Sequence, residues 1–102
     1  MELQNFENVL TDGTKVVTLG ITKDQNDIVL KMLETDSDSF GNYSLEEPDP
    51  EMVDVWISDA FSEGNEDYAQ ALQDGLAKGA DIYTLEDSIG AFHQTLGEVI
   101  VY

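Results

Sequence analysis

The sequence predicts an α+β domain: an antiparallel sheet, built from an N-terminal β-meander and a C-terminal strand, with about three helices packed on one face. Three observations carry this expectation. Two apolar runs flank Thr11-Asp12-Gly13-Thr14, a hairpin pattern because Asp and Gly tolerate positive φ. The middle of the chain repeats apolar residues at the spacing of amphipathic helices. The last residues, Glu98-Val99-Ile100-Val101-Tyr102, read as a strand returning to the sheet.

Taken in order, residues 5–10 and 15–21 form the two arms of the hairpin. Asp27-Ile28-Val29-Leu30-Lys31-Met32-Leu33-Glu34 is short, rich in branched residues and bounded by turn formers, so it reads as the third strand of the meander. A helix with Thr22 as its N-cap fits the same residues nearly as well. Residues 35–49 read as a polar, acidic loop punctuated by Gly41, Pro48 and Pro50. Asp49 then stands as an N-cap with Pro50 in the first helical position. Met52, Val53, Trp56, Ile57, Ala60 and Phe61 make one apolar stripe, and Gly64 ends that helix. A second helix follows from Asn65, with Tyr68, Ala69, Leu72 and Leu76 on its apolar side and Gly79 as its stop. Thr84 reads as the cap of a third helix. Its face is Leu85, Ile89, Phe92 and Leu96, and Gly97 ends it. No internal repeat or linker divides the chain, so residues 1–102 are expected to form one domain.

The 102 residues hold 22 Asp and Glu, 4 Lys and no Arg, a formal net charge of −18. Apolar residues make up 41 %, enough to build a core, so the charge is not a signature of disorder. The acids are unevenly placed. Residues 34–67 carry Glu34, Asp36, Asp38, Glu46, Glu47, Asp49, Glu51, Asp54, Asp59, Glu63, Glu66 and Asp67 with no basic residue among them, while residues 1–33 are nearly balanced. Concentrated like charge opposes folding, so its persistence asks for a use.

Several function classes are disfavoured by what the chain lacks. Direct binding to nucleic acid draws on Lys and Arg, which are scarce here. Without Cys there is no disulfide, thiol nucleophile or Cys-based metal site. His93 is the single histidine and reads as a half-buried structural residue, which leaves a Ser-His-Asp arrangement and a zinc site unsupported. No glycine-rich phosphate loop occurs. The N-terminus has neither the basic stretch nor the apolar segment of a signal peptide, and no apolar run would span a bilayer. The expectation is therefore a non-enzymatic protein without cofactor or metal, located in a cytoplasm (that of the host cell if phage-encoded), and not at a membrane.

One segment, residues 36–47, resembles the EF-hand calcium loop. Asp36, Asp38, Gly41, Ser44 and Glu47 match loop positions one, three, six, nine and twelve. Phe40 departs from it by offering no oxygen at position five, Tyr43 replaces a branched aliphatic, and Pro48 and Pro50 fall where an exiting helix would run. An acidic surface loop is the expectation.

The candidate partner-binding residues are Asp36, Asp38, Glu46, Glu47, Asp49, Glu51, Asp54, Asp59, Glu63, Glu66 and Asp67. On the helix that follows Asp49, carboxylates three or four residues apart lie about 5–6 Å from one another. That gap is similar to the distance between successive phosphates of a nucleic-acid strand. Val55, Phe40 and Tyr43 are candidate apolar anchors beside them. In size, charge and lack of catalytic residues the chain resembles the acidic nucleic-acid-mimic inhibitors of phages and mobile elements, of the anti-restriction and anti-CRISPR type. That resemblance implies a protein that occupies the basic groove of a nuclease, CRISPR effector or similar nucleic-acid-binding protein and excludes the true substrate. An acidic immunity protein or antitoxin covering a basic nuclease toxin is the alternative. A homodimer would lengthen the acidic row, self-repulsion would oppose it, and the sequence leaves both open.

Overall fold

A computed structural model describes residues 2–89 and 92–102. Strands β1 (Gln4–Val9) and β2 (Lys15–Ile21) form the expected hairpin. Helix α1 (Lys23–Glu34) follows. The short strands β3 (Ser39–Phe40) and β4 (Tyr43–Glu46) come next, then helices α2 (Pro50–Ser62) and α3 (Glu66–Ala77). The chain closes with two long strands, β5 (Asp81–Ile89) and β6 (Phe92–Val101). All six strands join one antiparallel sheet in the order β1-β2-β6-β5-β4-β3. The α+β class therefore stands, with three helices on an antiparallel sheet.

Two elements differ from the expectation. Residues 27–34 are the body of α1 and not a third strand. Thr22 caps this helix with a reciprocal pair of bonds: its hydroxyl accepts from the Gln25 N–H, and its own N–H donates to the Gln25 side-chain oxygen. Such a box satisfies two backbone donors that a helix start would leave open. The second difference is residues 84–89 and 92–96, which are strand and not helix; residues 90 and 91 of the expected helix lie outside the described residues. The two stretches form most of the β5–β6 hairpin, in register from Asp81 opposite Val101 to Ile89 opposite Phe92. Leu85, Ile89, Phe92 and Leu96 fall at helical spacing only by coincidence. Leu85 is buried, while Ile89 and Phe92 are exposed at the far end of the hairpin.

The helices are also not packed on one face as expected: α1 covers one face of the sheet, and α2 and α3 cover the other. Residues paired across antiparallel strands share a face, and neighbours along a strand alternate. Val16 and Val99 face α1 and pack with Val29, Met32, Leu45 and Leu85. Val17 and Ile100, one residue along each strand, face the other way and pack with Val53, Ile57, Ala69 and Leu72 of α2 and α3. Two small cores thus share one sheet. Fully burying a branched side chain such as Leu72 or Ile100 contributes about 1.5–3 kcal/mol. On the α1 side, a polar cluster locks helix to hairpin. Thr18 donates to the Asn26 side-chain oxygen at 2.7 Å, and Asn8 and Asn26 exchange amide bonds at 3.0 and 3.3 Å. Gly97, expected to end a helix, lies instead in β6, where a Cβ would come within 2.2 Å of the Leu19 carbonyl oxygen. Only glycine permits β2 and β6 to approach so closely there.

Candidate interaction surface

All twelve acids of residues 34–67 are exposed. Three ion pairs are formed among the described residues, Lys15–Glu7, Lys23–Asp27 and Lys78–Asp74, and none involves one of the twelve. The fourth lysine, Lys31 of α1, lies over the Phe40 ring, 4.9 Å from its centre. The four cations are thus held on β2, α1 and the end of α3, and α2 carries none. At the end of the molecule where β2 starts, Lys15 and Lys78 both approach the Tyr102 ring. The Tyr102 hydroxyl donates to Asp74 at 2.7 Å. This bond, with that from Lys78, holds the Asp74 carboxyl below its ordinary range, while burial and the Asp74 carboxylate push the Tyr102 hydroxyl up to about 12.

The acids do not form one continuous row. Glu46, Glu47 and Asp49 border a shallow hollow with Met52, Trp56, Thr84, Glu86 and Thr95 on the α2 face. Along α2, the outermost line is Glu51, Val55, Ser58 and Ser62, at steps of four, three and four. Asp54 lies to one side of that line, and Asp59 and Glu63 lie to the other; at 3.6 residues per turn, Asp54 and Asp59 are about 140° apart around the helix. Two carboxylate pairs result, Glu51 with Asp54 and Asp59 with Glu63. Glu66 and Asp67 follow across the turn at Gly64, whose φ of +82° suits glycine. Val55, the expected apolar anchor, is exposed between the pairs.

Asp36 and Asp38 depart from this arrangement. They border a separate hollow of about 530 Å³ with Leu33, Leu45 and Tyr83, on the α1 side of the sheet. The segment that resembles a calcium loop folds as the β3–β4 hairpin, which turns through Gly41 and pairs Phe40 with Tyr43. That hairpin separates Asp36 and Asp38 from Glu47, which borders the hollow on the α2 face. No group of three or more His, Asp or Glu able to hold a metal occurs among the described residues. Phe40 is exposed and Tyr43 half-buried, so the two expected anchors of this loop belong to the α1 face.

Two acids outside the candidate set join the α2–α3 side. Glu86 is partly exposed beside Trp56 and Thr95. Glu98 is buried under α3 and accepts a hydrogen bond from the Tyr68 hydroxyl. Burial pushes the Glu98 carboxyl up, the Tyr68 bond opposes that shift, and burial with the neighbouring carboxylate raises the Tyr68 hydroxyl. A sequence signal for this pair was slight, since Glu98 stands at the edge of an apolar run. His93 is exposed on the outer part of β6, so the expected half-buried position is not where it lies.

No helix is long and apolar enough to cross a membrane among the described residues. Comparison with protein-family models, curated proteins and solved structures finds no match to this chain.

Proposed function

We propose that this chain is a non-enzymatic inhibitor that presents carboxylates to the basic nucleic-acid-binding groove of a target protein. The target class is a bacterial defence nuclease, a CRISPR effector or a similar nucleic-acid-binding protein. The observation that carries the reading is the set of twelve exposed acids, none neutralised by an ion pair among the described residues, on a chain whose four lysines are engaged elsewhere. Unpaired carboxylates on a rigid helix need no rearrangement before meeting a cationic cleft, and their field speeds encounter. The working part of the surface in this reading is Glu46, Glu47 and Asp49, then Glu51 and Asp54, then Asp59, Glu63, Glu66 and Asp67. Asp36 and Asp38, on the α1 side, contribute only to the general field. Val55 sits among the acids as the group that adds selectivity to charge.

The test is affinity capture from a bacterial lysate with the whole chain, with and without competing duplex DNA or RNA. The captured protein should be released by nucleic acid and by rising salt. The variant carrying Glu51→Lys, Asp54→Lys, Asp59→Lys and Glu63→Lys should lose at least about a hundredfold in affinity for it, since each close charge contact contributes on the order of 1 kcal/mol or more. A partner that nucleic acid does not displace, or that binds the reversed variant equally well, would refute the mimicry.

A further inference from the structure

We propose that two copies of this chain associate through the open edge of β6, by antiparallel pairing of residues 92–96 about a two-fold axis at Gln94. The proposal is independent of the inhibitor reading. Among the described residues, β2 pairs with β6 only from Glu98 to Val101, so the outer part of β6 has β5 on one side and no strand on the other. The orientation of its backbone groups follows from the sheet. The Ser88 N–H donates to the Asn42 carbonyl, toward β4. Ser88 therefore turns its polar groups away from β6, and its partner His93 turns its own away from β5. By alternation Thr95, opposite Glu86, does the same. The open edge thus offers the N–H and C=O groups of His93 and Thr95. A two-fold axis at Gln94 sets His93 of one copy against Thr95 of the other, twice, and satisfies all of these groups with four hydrogen bonds.

Charge decides the occupant. Residues 88–97 contain no acid in a chain that has 22, and the side chains of β6 from Phe92 to Thr95 are exposed. A cationic partner would seek the carboxylates. A partner that itself carries −18, such as a second copy, meets least repulsion along this strand, which brings no carboxylate of its own to the axis. The nearest, Glu86 and Asp87, stand one strand back on β5, opposite Thr95 and Gln94. The other two free edges are blunted: β1 has a register shift between Gln4 and Phe6 and carries Glu7, and β3 is two residues long. Phe92, 79 % exposed, stands at the start of the open edge and adds apolar surface to the pairing.

Sedimentation velocity on the full chain, from micromolar to millimolar concentration, tests this in 0.1 and 1 M NaCl. The dimer should tighten at least about tenfold at the higher salt, because the Debye length falls from about 10 to about 3 Å and the two bodies repel less. Gln94→Glu sets two carboxylates face to face at the axis and should weaken the dimer at least about tenfold in 0.1 M salt. Thr95→Pro removes an outward N–H without touching the bonds to β5 and should abolish the dimer. Circular dichroism checks that each variant is folded, and either variant alone suffices if the other is not. A monomer throughout, a dimer that salt weakens, or a dimer indifferent to a folded variant would overturn the proposal.

Discussion

Helices α1 and α2 lie on opposite faces of one sheet, and they are stabilised by different means. Helix α1 has a capping box at its start, Asp24 in its first turn and Lys31 in its last, and the Lys23–Asp27 pair along its surface. The box, Asp24 and Lys31 complement the open backbone groups or the dipole of the helix ends, and the Lys23–Asp27 pair adds a surface ion pair between turns. Helix α2 has Asp49 at the cap position without a side-chain cap bond, and no base in its last turn. Its C-cap is Glu63, a negative group at the negative end of the dipole. What holds α2 is Val53, Ile57 and Ala60 against α3 and the sheet. One helix is secured at its ends, the other through its buried stripe, and the second is free to carry charge that local helix energetics would reject.

The sheet between them is the common support, so the most damaging change should be one that separates its strands. Gly97→Ala would drive a Cβ to 2.2 Å from the Leu19 carbonyl oxygen and 2.6 Å from the Ile21 side chain. Backbone cannot yield there without opening β2 from β6, which carry residues of both cores. The expected loss is about 3 kcal/mol, at the upper end of the usual range for overpacking, read as a fall in the denaturant midpoint. Both faces should lose order together; loss on one face alone would show that the two cores are less coupled than their shared strands imply.

The comparison predicts a smaller, directional contrast at the caps. Thr22→Ala removes one half of a reciprocal pair and should destabilise by about 1 kcal/mol. Asp49→Ala removes no cap bond and should change stability by no more than about 0.3 kcal/mol. Urea melts of the two variants side by side measure the difference. Equal losses would mean that α2 depends on its N-terminus as α1 does.

The same local features explain what was readable before the fold was known. The β1–β2 hairpin, α2 and α3 were legible because turn chemistry, caps and apolar spacing agree in them. In α1 the apolar run alone could not choose between strand and helix, yet Thr22 with Gln25 three residues on carries the signature that decides it. The β5–β6 hairpin misled because Leu85, Ile89, Phe92 and Leu96 satisfy a helical spacing. The strand reading rests on non-local contacts with β2 and β4 that no short window contains. The exposure of the acids was legible residue by residue. Their division between two faces was not, because it depends on the β3–β4 hairpin turning the chain from the α1 side of the sheet to the α2 side. The Glu98–Tyr68 contact joins residues thirty positions apart and was equally hidden.

The finest test concerns the trade between charge and stability on α2. Glu63 at the C-cap sits beside the last carbonyls of the helix, with Asp59 one turn before it and Glu66 and Asp67 just beyond. All of these repel it, and the helix dipole does so as well. Glu63→Lys should therefore raise stability, by about 0.5 kcal/mol at low salt, an effect that 1 M NaCl should largely remove. The matching change on α1, Lys31→Glu, should lower stability by a similar amount, since it takes a base from a helix end that uses one. If α2 carries its acids for a partner, Glu63→Lys should gain stability while losing affinity for that partner. A variant that loses stability instead would mean that Glu63 contributes to the fold itself, and the contrast between the two helices would fail at that position.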